Sequence, residues 1–156
     1  MTLRKPLVLN SGQIQQIQSG DILDATIIET EQITLTNAES SDPIVAGMVV
    51  YLSAASSVKK AKADAAGTKE VIAFCKDASV TSGQTGAFAT SGQLSVADWT
   101  AALGSANLTA GAIYYLSGAT GGFITATAPV AGYVVEVGVA ISTTVMQIRT
   151  NRPIQL

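Results

Sequence analysis

The sequence predicts an all-β protein carrying a single short helix, and three observations support that class. The chain of 156 residues is 47% apolar and only 13% charged, and its bulk is Val, Ile, Thr, Ala, Ser and Gly. These residues fall into short apolar or alternating runs, each closed after a few positions by Gly, Ser or Asn, as strands separated by tight turns require. Only one segment, 95–103, carries apolar residues at helical spacing. The length suits one body or two small β modules packed together, with enough chain to bury a core.

Taken in order, residues 7–9 and 13–17 flank Asn10-Ser11-Gly12, whose final glycine suits a left-handed turn position, so an N-terminal β-hairpin arm is expected. The run 25–36 sets Ile27, Ile33 and Leu35 among Thr and Glu, a pattern for half-buried strands rather than a helix face. Residues 37–43 read as a linker. The expected organisation is therefore an arm over 1–36 and a β-rich body over 44–156.

Within the body the chain repeats itself. Ala46-Gly47-Met48-Val49-Val50-Tyr51-Leu52-Ser53 aligns with Ala110-Gly111-Ala112-Ile113-Tyr114-Tyr115-Leu116-Ser117. Each copy runs from a glycine turn into a strand ending Tyr-Leu-Ser, then a polar turn, 54–57 or 118–122, and a second strand, 58–63 or 123–128. A third strand carries a small residue inside an apolar run, Ala73 in 71–75 and Gly138 in 134–140. The expected copies are 46–92 and 110–150. At the end of the first copy, 83–92 alternates turns with a strand at 87–90. Ser95 and Asp98 resemble a capping box ahead of the Trp99–Leu103 pair, which predicts the helix over 95–103.

The residue types exclude much chemistry. There is no histidine, which removes the common triads, the common zinc sites and the usual neutral-pH base. Cys75 is the only cysteine, so no internal disulfide forms. Among Val71, Ile72 and Phe74 it reads as a buried, inert thiol. Asp21 and Asp24 are close enough to raise the idea of a carboxylate pair or a calcium site, but no alternating oxygen ligands surround them, and solvated turn residues are the better reading. No helix start or lysine follows Gly118, Gly121 and Gly122 to make a phosphate cradle. The expectation is a protein without catalytic, metal or cofactor residues.

The charge pattern is equally restrained. Net charge is −2, and the nine basic residues form no aromatic-interleaved stripe, so nucleic acid is not an expected partner. Asp21, Asp24, Glu29, Glu31, Glu39 and Asp42 occupy a stretch without Lys or Arg and read as a solvated face. In a strand, Lys60 and Lys62 share one face and Ala61 and Ala63 the other, which is expected to guard a sheet edge. Trp99 reads as a core plug, and Tyr114-Tyr115 as one ring inward and one outward. No apolar run is long enough for a membrane-spanning helix, and 1–10 lacks the apolar core of a signal peptide, so no membrane partner and cytoplasmic synthesis are expected.

A family resemblance covers nearly the whole chain; the middle segments 58–63 and 83–92 share it, and two stretches carry most of it. The N-terminal one is Arg4-Lys5-Pro6-Leu7-Val8-Leu9-Asn10-Ser11-Gly12-Gln13-Ile14-Gln15-Gln16-Ile17-Gln18-Ser19-Gly20-Asp21, followed by Leu23-Asp24. The C-terminal one comprises Leu108-Thr109-Ala110-Gly111-Ala112-Ile113-Tyr114-Tyr115-Leu116, Ile124-Thr125-Ala126-Thr127-Ala128-Pro129, Val137-Gly138-Val139-Ala140-Ile141-Ser142 and Arg152-Pro153-Ile154-Gln155-Leu156. The chain resembles small virion structural proteins of tailed bacteriophages, which include capsid decoration (cement) proteins and head-fibre modules. The resemblance implies a homotrimer of β-sandwich or β-barrel, jelly-roll-like bodies on the capsid surface, with the major capsid protein as partner and no active site.

The residues expected to make capsid or inter-subunit contact are Pro6, Leu7, Leu9, Gln13, Ile14, Gln16 and Ile17, because a Gln-rich hairpin offers edge groups for strand addition. A short fibre or fibre-attachment subunit that binds a host glycan is the alternative, and it requires clustered exposed aromatics.

Overall fold

The structure, a computed structural model, describes residues 7–10, 13–16 and 31–156. The N-terminal strands are β1 (Leu7–Asn10) and β2 (Gln13–Gln16). Then come β3 (Gln32–Asn37), β4 (Ile44–Val45), β5 (Val49–Ala54), β6 (Ser57–Lys60), β7 (Ala73–Cys75), β8 (Ser79–Val80) and β9 (Thr85–Ala89). The remainder holds β10 (Gln93–Ser95), α1 (Thr100–Leu103), β11 (Ile113–Leu116), β12 (Ile124–Thr125), β13 (Tyr133–Val134), β14 (Glu136–Ala140), β15 (Val145–Ile148) and β16 (Ile154–Gln155). The all-β expectation with one short helix is met.

β1 and β2 pair antiparallel, with Leu9 opposite Ile14 and Asn10 opposite Gln13. The hairpin forms where the sequence places it, but Asn10 belongs to the strand rather than to the turn. Residues 32–36, counted with the arm on sequence, form with Asn37 a strand of the body, because β3 pairs with both β6 and β9. The stretch 37–43 is more than a linker. The amide of Asn37, a fully buried polar residue, donates to the carbonyls of Asp42 at 3.1 Å and Val80 at 2.8 Å, and its Oδ1 accepts the Glu39 N–H at 2.8 Å. A buried amide so satisfied ties the end of β3 to the segment beyond it.

The body has two consecutive units. In the first, β3-β6-β5-β7-β9 close into a barrel; in the second, the five-stranded sheet runs β10-β15-β14-β11-β12. The order is the same in both, and so is the register. Val49 opposite Phe74 and Val50 opposite Ala73 match Ile113 opposite Val139 and Tyr114 opposite Gly138. Phe74–Ala89 and Cys75–Phe88 match Val139–Gln147 and Ala140–Met146. Ile33–Phe88 matches Leu94–Met146, and Leu52–Val58 matches Leu116–Ile124. The glycine turns correspond too. Gly47 and Gly111 have φ of 83° and 81°, and their N–H groups donate to Cys75 O at 2.9 Å and Ala140 O at 2.8 Å. The sequence repeat at 46–53 and 110–117 thus lies on equivalent strands, and the equivalence reaches back to β3 and β10.

The units differ at the seam. The end of β3 reaches β6, with Thr36 opposite Ser57 and Asn37 opposite Val58 in a parallel pairing that closes the barrel. In the second unit the chain leaves β10 at Ser95 and turns into α1, which lies against β12. The helix is therefore shorter than the sequence suggests. Ser95 is in β10 rather than at a cap, and the Asp98 carboxylate accepts the Thr100 N–H at 2.8 Å, a local turn that delays the helix start and lowers the carboxyl pKa. β10 is a strand because β15 pairs with it, not because of its own pattern.

One core runs through both units. Trp99 is fully buried and bridges them: its ring lies over Gly47, where a Cβ would come within 2.9 Å of two ring carbons, while its Nε1 donates to Thr144 O at 3.2 Å. The second junction is backbone. Gly122, with φ of 78°, places its peptide between two strands of the first unit, accepting Val49 N–H at 3.0 Å and donating to Ala61 O at 2.7 Å. Ala63 then donates to Ser117 O at 3.0 Å and accepts Tyr133 N–H at 3.1 Å.

Candidate interaction surface

Several of the described residues that the sequence singles out for chemistry are held in the fold's own contacts. Cys75 is fully buried, and burial pushes its thiol up to about 12, with the nearby Asp77 carboxylate adding to the shift. A thiol held neutral in this way is not a nucleophile at physiological pH. Tyr114 is buried with its hydroxyl accepting the Thr109 N–H at 2.9 Å, while Tyr115 is half-buried on the opposite face. That is the inward and outward pair the alternation predicts. Gly118, Gly121 and Gly122 form the turn between β11 and β12. Asp21 and Asp24 lie outside the described residues. Among the described residues no three His, Cys, Asp or Glu side chains gather as a metal site, and no helix is long and apolar enough to cross a membrane.

The lysines alternate as expected but serve another purpose. Ala61 and Ala63 are fully buried, while Lys60 and Lys62 are half-buried. β6, however, guards no edge, because it pairs with β5 on one side and β3 on the other. Where the β3–β6 ladder ends, the Glu39 carboxylate takes over and accepts the Lys60 N–H at 2.7 Å. The Lys60 ammonium is 3.8 Å from Asp42 and that of Lys62 is 2.7 Å from Asp64, whose carboxyl pKa falls through its hydrogen bond with Lys62. Lys69 stacks its ammonium 4.2 Å from the Tyr133 ring centroid, fixing the start of β13.

Main-chain edges and aliphatic side chains are among the surfaces the described residues present. Of the expected contact residues, Leu7, Leu9, Gln13, Ile14 and Gln16 lie on β1 and β2, and Leu7 is opposite Gln16; Pro6 and Ile17 are outside the described residues. Among the described residues β1 and β2 pair only with each other, so each has one edge with no strand neighbour among those residues.

The sequence reading named no contact residue in the body, yet aliphatic side chains stand in solvent at several places there. Leu52 is 50% exposed within β5, Ile113 is 42% exposed at the start of β11, and Val130 is 94% exposed ahead of β13. A further pair, Ile154 and Leu156, is exposed at the C-terminal strand. Alternation alone does not reveal them: Leu52 is two residues along the strand from fully buried Val50, and the others sit at or beyond a strand end, where burial depends on what caps the sheet. Comparison with protein-family models, curated proteins and solved structures gives no match.

Proposed function

We propose that this chain is a non-catalytic structural protein of a tailed-bacteriophage virion: a capsid decoration protein that binds the major capsid protein as a homotrimer and stabilises the expanded head. The observation that carries the reading is the N-terminal segment. Its sequence over residues 4–24 resembles that of phage decoration and head-fibre proteins, and its two strands have no sheet neighbour other than each other among the described residues. Strand addition uses such edges, with main-chain hydrogen bonds giving affinity and alternate side chains giving selectivity.

The body suits a scaffold role. A core continuous through two units, with a buried tryptophan and backbone hydrogen bonds joining them, holds its surface in one geometry. On a particle carrying many copies of each site, an oligomer engages several modest contacts together and gains avidity without one strong contact. The test is removal of residues 1–20, with binding to purified capsids measured by co-sedimentation. The expected result is loss of capsid binding with the circular dichroism and melting of the body retained; undiminished binding would sink the reading of this segment.

A further inference from the structure

The junction between the two units is heterologous: it uses one surface of the first unit and a different surface of the second. The first unit contributes the start of β5 and the chain after β6, where Val49 and Ala61 are fully buried. The second contributes the β11–β12 turn, whose Gly122 peptide bonds to both of those residues and whose Leu116 is fully buried. Because the registers of the units correspond, each of these surfaces has a counterpart on the other unit.

Both counterparts are open. The equivalent of Val49 is Ile113, which is 42% exposed. The β11–β12 ladder stops at Thr125, the equivalent of Lys59, and the chain beyond it at 126–128 is exposed, with the Thr127 N–H turned back onto Thr125 Oγ1. The equivalent of the β11–β12 turn is the β5–β6 turn, where Leu52, matching Leu116, is 50% exposed and 53–56 are exposed. Even the unusual backbone recurs, since Ser56 has φ of 55° where Gly122 has 78°. The Ser56 carbonyl already accepts the Thr36 N–H at 2.9 Å, so it meets a further donor through its second lone pair.

We infer that a second copy of this chain docks its β5–β6 turn, led by Leu52, onto the Ile113 surface of the first, repeating between chains the junction that joins the units within one. The contact is heterologous, running head to tail, so chains close into a ring when the rotation allows. This deepens the homotrimer of the proposed reading and rests on that part of it, but it needs no capsid.

The test uses the full chain and size-exclusion chromatography with light scattering. Wild type is expected as an oligomer, and Leu52→Arg and Ile113→Arg are each expected to fall to the 15.9 kDa of one chain with the far-UV circular dichroism of the folded protein retained. Mixing the two variants restores one good junction per pair and should give dimers but no larger ring. In parallel, the double variant Leu52→Cys/Ile113→Cys should form intermolecular disulfides under mild oxidation, with either single variant giving none between the two positions; buried Cys75 does not interfere. A monomeric wild type, or an oligomer that survives both arginine substitutions, would overturn the inference. In the first case, capsid binding by residues 1–20 can still hold for a monomer. In the second, association runs through another surface, the N-terminal strands first among them.

Discussion

Gly47 and Gly111 occupy the same place in the two units and have the same left-handed backbone, φ of 83° and 81°, but only one of them lies against a side chain. A Cβ at Gly47 would stand 2.9 Å from Cε3 and Cζ3 of Trp99 and 3.3 Å from Ala102 Cβ, whereas at Gly111 nothing lies within 4 Å. Substitution by alanine places an L-residue in the left-handed region at a cost of roughly 1–2 kcal/mol. Loss of glycine's freedom in the unfolded chain offsets this by about 0.4–1 kcal/mol, leaving a net cost of about 1 kcal/mol for Gly111→Ala. Gly47→Ala adds the cost of forcing a methyl group into a packed ring, about 1–3 kcal/mol more. Urea unfolding of each variant, followed by far-UV circular dichroism and by the fluorescence of the single tryptophan, measures both costs. The expected outcome is a lower midpoint for Gly47→Ala than for Gly111→Ala, with a gap of about 1–3 kcal/mol at an unchanged denaturant slope. Replacing Trp99 with Leu should narrow that gap, as coupled neighbours do in a double-mutant cycle. Equal stabilities for the two alanine variants would refute the packing of Trp99 over Gly47 and with it the bridge between the units.

Two further outcomes follow from the same geometry. Asn37→Ala removes three hydrogen bonds and leaves the buried Val80 carbonyl without its donor, so a loss of about 2–4 kcal/mol is expected in chemical denaturation, against near-wild-type stability for the same substitution at exposed Asn107. Cys75, raised from an ordinary 9.0 to about 12, should carry about a thousandfold less thiolate than a free thiol at pH 8 and resist iodoacetamide until the chain is unfolded. The raised value also sets a sign: stability from the neutral thiol is fully present below pH 9 and declines as pH rises from about 9 towards 12, because the unfolded chain then gives up its proton first. Alkylation of the native protein at the rate of a free thiol would contradict this burial.

Much of the architecture is legible in local pattern. The hairpin at 7–16, the glycine turns before β5 and β11, and the matched Tyr-Leu-Ser strand ends can all be read without a partner, because turn chemistry and period-two alternation are local properties. Features made by pairing over long distances are not. The segment 93–95 is a strand only because β15 lies beside it, and its neighbours Trp99 and Leu103 offered a helical spacing that the Asp98 turn cuts short. Closure of the barrel by β3 on β6 likewise leaves no mark in either strand, so Lys60 and Lys62 read as edge guards when the strand has two neighbours. Asn37 looked like the first residue of a linker because asparagine favours turns; its amide instead reaches Val80, which only the fold brings near. The exposed aliphatics Leu52 and Ile113 become meaningful once the buried counterparts Leu116 and Val49 are identified by register.

The proposed decoration role makes one quantitative demand. A protein that covers the lattice must be present in proportion to it. The decisive measurement is the copy number of this chain per purified virion, by mass spectrometry against the major capsid protein. A ratio approaching one chain per capsid subunit is the predicted result; a few copies per particle would contradict it and place the chain in a fibre, collar or tail.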